Sequence, residues 1–179
     1  MKSDTEIIRA CLSGQQKAFK QLYEKYLAYC YGICTRYAVH QSDIKDLIQV
    51  VFSQVFQSLK NYNPQQAQFK TWLTRVCINH ILSYKKKQTK TAQTLYVADF
   101  HESLIHSSDN SIDKQIDRQH ILSLIKQMPR NYQIVFNMFI IDGYTHEEIA
   151  QRLNISVASS RVTLNRARTW VKKTLVNKH

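Results

Sequence analysis

Between Ile44 and Leu59 the side chains Ile44, Leu47, Ile48, Val51, Phe52, Val55, Phe56 and Leu59 recur at steps of three, one, three, one, three, one and three. An α-helix gathers such positions into one stripe, whereas a strand alternates every second residue. The same spacing recurs over residues 16–39 through Phe19, Leu22, Tyr23, Tyr26, Leu27, Cys30, Ile33 and Cys34. Three glycines and two prolines in 179 residues leave too few turn-formers for a β-rich chain. The expected fold class is therefore all-α.

Stops and starts divide the chain. Ser3 with Glu6 opens a short helix that Gly14 ends, and a long helix follows to residue 39. Ser42 is expected to cap the third helix, which runs to about residue 59. The loop Lys60-Asn61-Tyr62-Asn63-Pro64-Gln65-Gln66 separates it from a fourth over residues 68–87. Residues 88–111 are polar, without helical period, and are expected to be a flexible tether. Two small helical domains, 1–87 and 112–179, then flank a linker. In the second, a helix over residues 112–127 precedes Pro129, which is placed as the first residue of the next. That next helix carries Tyr132, Ile134, Val135, Met138, Phe139 and Ile140 and ends at Asp142-Gly143.

Charge follows the same division. Residues 1–87 carry 13 basic and 5 acidic side chains, residues 88–111 carry 1 and 3, and residues 112–179 carry 11 and 5. Two basic blocks around a slightly acidic connector suggest two anion-binding modules. No apolar run approaches the roughly 18 residues of a membrane span. The first residues lack the layout of a secretory signal, and Cys11, Cys30, Cys34 and Cys77 sit in apolar-periodic stretches, as expected of reduced core residues in the cytoplasm. Catalysis is not expected: His146-Glu147-Glu148 lacks the second histidine of a zinc helix, and no glycine-rich phosphate loop exists. No metal or cofactor is expected.

The most specific pattern lies between Thr145 and Thr174. Thr145 with Glu148 forms a capping box, Ala150 permits close helix approach, Asn154 suits a left-handed turn, and Ile155 plugs the corner. Ser156 then caps a helix expected to bury Val157, Leu164, Ala167 and Val171 and to expose Ser159, Arg161, Val162, Thr163, Asn165, Arg166 and Arg168. This is the layout of a helix–turn–helix, whose second helix enters the major groove of DNA. Arg161 suits a bidentate guanine contact, Asn165 an adenine, and Val162 a thymine methyl. Arg166 and Arg168 suit phosphates, although Arg168 fits an intramolecular ion pair equally well.

The stretch from Met128 to Arg168 resembles region 4, the promoter-reading domain of extracytoplasmic-function sigma factors of bacterial RNA polymerase. Asp46-Leu47-Ile48-Gln49 and the run from Phe69 to Asn79 resemble region 2 of the same family. The resemblance implies an initiation subunit whose partners are the clamp helices and flap of core RNA polymerase and promoter DNA. It also implies an anti-sigma factor, commonly membrane-anchored. Region 2 takes the −10 element and region 4 the −35 element.

By that resemblance, Asp46, Gln49, Val50 and Ser53 form a polymerase-docking ridge opposite the buried stripe of the third helix. Val50 stands where an acidic residue is usual. Tyr62 falls on an aromatic position that stacks on a displaced base, its alternative being a ring packed over its own loop. Asn79 falls on the melting-site position or serves as a structural amide. Lys85 and Lys86 are −10 phosphate candidates or a solvated helix end. Ser159, Arg161, Val162, Asn165 and Arg166 carry the −35 contacts, and Val162 and Thr163 depart from the polar residues the family often has. The competing reading is a stand-alone helix–turn–helix regulator that binds operators without polymerase.

Overall fold

The first helix, α1 (Asp4–Leu12), begins with the expected reciprocal cap: Glu6 N–H donates to Ser3 Oγ at 3.3 Å, and Ser3 N–H to Glu6 Oε2 at 2.7 Å. Gly14 ends it at φ +80°, a conformation that costs glycine nothing. The computed structural model describes residues 3–38, 41–88 and 124–176. The chain divides into two units, Met1–Lys90 and Thr91–His179. The tether expected over residues 88–111, except for Gln88, and residues 112–123 of the helix expected over 112–127 lie outside the described residues.

In the N-terminal unit, α1 leads to α2 (Gln16–Tyr37), α3 (Asp43–Ser58), a 3-10 turn (Leu59–Asn61) and α4 (Phe69–Gln88). Two boundaries differ from expectation. α2 stops at Tyr37 because Ala38 is extended. Ser42 does not cap α3: its backbone is already helical (φ −57°, ψ −32°), so its hydroxyl turns to Asp43 Oδ1 at 3.4 Å instead of to an orphan amide. Asp43 and Asp46 supply first-turn negative charge to the helix dipole.

The α3 stripe is buried as its spacing requires. Leu47, Val51, Val55 and Leu59 meet Leu22, Ile33 and Tyr37 of α2 and Leu73, Ile78 and Ile81 of α4 in one core with essentially no solvent contact. All four cysteines are buried free thiols, with Cys30 Sγ 3.8 Å from Cys77 Sγ. Burial, with Cys30 nearby, pushes the Cys34 thiol up to about 12. The hydrogen bond with Cys30 and burial push Cys77 up as well.

One edge of this core is aromatic. Phe69 meets Tyr26 at 5.1 Å, Tyr62 at 5.2 Å and Trp72 at 5.5 Å between centroids. Tyr26 reaches past it to donate to Asp4 Oδ2 at 2.7 Å, and Lys25 Nζ lies 2.8 Å from Asp4 Oδ1. Burial works to raise the Asp4 carboxyl, but the bonds from Lys25 and Tyr26 outweigh it and hold the group below its ordinary value.

In the C-terminal unit, residues 124–127 are helical, and Pro129 caps α5 (Arg130–Phe136) instead of being its first residue. The helix expected to continue to Asp142 widens into a π turn (Asn137–Ile141), closed by Asp142 N–H to Asn137 C=O at 2.9 Å. The extra residue per turn shifts the phase of the stripe. Met138 is fully buried, while Ile140 is 46% exposed. Then come α6 (His146–Leu153) and α7 (Val157–Val176), packed with α5 around Leu124, Ile134, Val135, Ile149, Leu164 and Ala167.

Leu47 lies at the centre of the N-terminal core with 0% exposure. Leu47→Ala is expected to lower the unfolding free energy of that unit by about 3 kcal/mol. Urea denaturation of the full chain checks this, and a loss below about 1 kcal/mol would show that the three helices do not share one core.

Candidate nucleic-acid interface

The corner between α6 and α7 is fixed by backbone chemistry. Glu148 N–H donates to Thr145 Oγ1 at 3.2 Å and Thr145 N–H to Glu148 Oε2 at 2.9 Å, completing the capping box. Asn154 takes the left-handed conformation (φ 57°, ψ 49°), where its short polar side chain costs least among non-glycine residues. Ile155 N–H closes the turn on the Ala150 carbonyl at 3.1 Å. Ser156 Oγ then accepts from Ser159 N–H at 2.9 Å and caps α7. Ala150, 7% exposed, leaves the room that lets the two helices meet.

The exposed side of α7 is one line: Ala158, Arg161, Val162, Asn165, Arg168 and Lys172, at steps of three, one, three, three and four. Arg161, Val162 and Asn165 therefore share a face, with Val162 43% exposed and apolar. Arg168 belongs to that face. Arg166 is half-buried at its flank, and Ser159 is half-buried with its hydroxyl 2.8 Å from Ser156 Oγ. Thr163, expected on the free face, is 2% exposed, because it lies within one turn of Ser160, Leu164 and Ala167 on the buried side. Val157 and Val171, expected to be buried, are half-buried at the two ends of that side.

Ser160 was not singled out by the sequence pattern, yet it is 0% exposed and lies 2.9 Å from His146 Nδ1. The signal for it was present: Val157, Ser160, Leu164, Ala167 and Val171 form the buried row, and a hydroxyl in such a row needs a partner. The His146 ring stacks on Phe139, 4.4 Å between centroids at 27°. Beside this pair, Arg161 and Glu147 approach to 3.8 Å, both side chains 65% exposed.

In the N-terminal unit, Asp46, Gln49 and Ser53 are exposed and Val50 is half-buried along α3, opposite Leu47, Val51 and Val55. The loop after α3 is ordered by its own hydrogen bonds: Gln65 N–H to Asn63 Oδ1 at 2.9 Å, and Tyr62 Oη to the Ala67 carbonyl at 3.2 Å. The half-buried Tyr62 ring packs over that loop against Phe69 and Trp72. Asn79 is half-buried in α4. Lys85 and Lys86 fall in the closing turns of α4, where the side chains lie outside the described residues.

Burial lowers the His146 pKa, as does Arg161; Glu147 opposes this and Arg168 adds to it. The fold thus favours the neutral ring. Its contribution is complete above the ordinary imidazole value of 6.5 and is lost as pH falls from there through the folded pKa. His80, also lowered by burial, acts in the same window in the other unit. The C-terminal unit is therefore expected to lose stability as the pH falls below about 6.5. His146→Phe should flatten that slope in thermal melts, and parallel slopes in both proteins would remove His146 as the cause.

Comparison with known proteins matches both units. Residues 22–91 match the family "Sigma-70 region 2" and residues 118–171 the family "Sigma-70, region 4". The chain is 23% identical to the ECF RNA polymerase sigma-E factor of Haemophilus influenzae, over 94% of this chain and 93% of that one. It is 24% identical to the protein of the same name from Escherichia coli K12, over 93% and 91%. In fold it resembles CnrH, solved with the cytosolic domain of CnrY (TM-score 0.54, 20% identity, covering 99% and 100%). It also resembles RpoE of Bartonella quintana, solved with the anti-sigma factor NepR (TM-score 0.54, 15% identity, covering 89% and 97%). With one region of the family matched in each unit and relatives aligned along nearly its whole length, the chain belongs to the extracytoplasmic-function group of the sigma-70 family.

Proposed function

We propose that this chain is an alternative sigma factor that joins core RNA polymerase in the cytoplasm and directs it to promoters bearing matched −10 and −35 elements. The observation that carries the reading is the exposed line on α7, with Arg161, Val162 and Asn165 presented by a capped helix–turn–helix in a chain that also carries region 2. A helix is the width of the major groove, and these three side chains have the chemistry to meet a guanine edge, a thymine methyl and an adenine edge. Arg168, on the same line, suits a phosphate, and so does Arg166 at its flank, giving affinity and orientation without sequence information. Ser159 retains a hydroxyl proton or lone pair for the backbone beside its bond to Ser156.

In the N-terminal unit, Asp46, Gln49, Val50 and Ser53 form the surface offered to the polymerase clamp. Val50 replaces a charge with an apolar contact that docking would cover. The exposed part of the Tyr62 ring is offered to a displaced −10 base, with Asn79, Lys85 and Lys86 further along α4 for bases and phosphates. Domain limits at 1–87 and 112–179, with 88–111 between, give region 2 and region 4 separate bodies. An anti-sigma factor is a fitting regulator, as in the Bartonella complex with NepR. Among the described residues no helix is long and apolar enough to cross a membrane.

Size exclusion with core polymerase from the same cell tests the reading. The wild type is expected to co-elute, and Asp46→Arg with Gln49→Ala to bind at least about tenfold more weakly. Failure of the wild type to bind core, together with tight binding of the free chain to an operator, would favour a stand-alone regulator. In promoter selection with the assembled enzyme, Arg161→Ala is expected to relax the preference at one −35 base pair by about 1–3 kcal/mol. Loss spread evenly over all sequences would make Arg161 a phosphate contact.

A further inference from the structure

We propose that His146 is a positioning residue for promoter reading: by its hydrogen bond to Ser160 it fixes the rotation of α7 on α6, and with it the place of Arg161. This rests on the reading of α7 as the base-reading helix. Two links join the same helices side by side, His146 to Ser160 at 2.9 Å and Glu147 to Arg161 at 3.8 Å. They differ in kind. The Glu147–Arg161 link is exposed on both sides, so water screens it and DNA can replace it. The His146–Ser160 link ends on a hydroxyl with 0% exposure, which has no water to turn to.

The ring is also held on one face. Phe139 in the π turn stacks on it at 4.4 Å and 27°, fixing the plane in which Nδ1 points. His146 therefore connects the π turn, the first turn of α6 and the first turn of α7. An apolar pair at 146 and 160 would fill the same space, but packing tolerates rotation that a hydrogen bond in a fixed ring plane does not. A side-chain tip about 6 Å from a helix axis moves about 1 Å for a turn of about 10°. That displacement is enough to spoil a two-point contact between a guanidinium and a guanine edge.

The test uses the full chain bound to core polymerase. Its preferred −35 sequence is selected from a duplex library, and the base pair relaxed in Arg161→Ala marks the position read by that residue. The readout is the affinity ratio between the selected duplex and one substituted at that pair. His146→Phe keeps the stack on Phe139 and loses the bond, and is expected to lower the ratio about three- to tenfold. His146→Asn places an amide near the position of Nδ1 and is expected to stay within about twofold of the wild type. Ser160→Ala should match His146→Phe, and the double variant should add nothing further. Should His146→Phe not fold, Ser160→Ala carries the same expectation. An unchanged ratio in folded variants overturns the inference, as does a loss in His146→Asn equal to that in His146→Phe, which would assign the effect to ring packing. A wild-type enzyme with no −35 preference would sink the promoter reading and this inference with it; selective wild type with equally selective variants sinks this inference alone.

Discussion

Each unit is small enough that burial leaves little to choose. A domain of this size hides a modest share of its surface, so almost every large apolar side chain must enter the core if the unit is to fold. The N-terminal unit obeys this through Leu22, Ile33, Leu47, Leu59, Leu73, Ile78 and Ile81, and the C-terminal unit through Leu124, Ile134, Met138 and Ile149. With the apolar side chains committed inward, the outward faces of α3 and α7 are polar almost throughout. The apolar residues that remain outside, such as Val50 and Val162, stand out for that reason.

What positions those faces is the chemistry of helix ends. α6 cannot start before Thr145 or continue past Asn154, because a reciprocal cap closes one end and a left-handed residue the other. With both ends fixed, the direction in which the chain enters α7 is fixed too, and Ser156 sets where that helix begins. The loop before α4 is built on the same principle, with Asn63 turning the chain and Tyr62 tying its far end to Ala67. Side chains that could serve as ligands for DNA are thus carried by segments whose backbones have few alternatives.

Much of this was legible before any coordinates. The stripe of α3, the capping boxes at Ser3 and Thr145, and the left-handed Asn154 follow from local rules that the rest of the molecule does not override. Other features depended on neighbours. Ser42 has the chemistry of a cap but sits in a backbone already turned helical. Ile140 belongs to an apolar run but is rotated outward by a π turn that no single residue announces. Thr163 is assigned to the wrong side if α7 is read from its charges alone, since a threonine suits either side. Ser160 requires knowing that residue 146 lies opposite, fourteen positions earlier in the chain. In the candidate site, the residues were nameable from the sequence, but their grouping was not: Arg168 shares the face of Arg161, and Arg166 lies beside it.

All four thiols of the chain belong to its first half, and all four are buried. Reaction with an alkylating or oxidising reagent requires the thiolate; burial keeps the proton on sulfur at Cys11 and Cys34, and the hydrogen bond with Cys30 together with burial does so at Cys77. Chemical attack on these groups must wait for the N-terminal helices to part, while the second half of the chain offers no sulfhydryl at all. The molecule thus carries its own one-sided clock: the rate at which its thiols are consumed times the opening of one unit and is blind to the other.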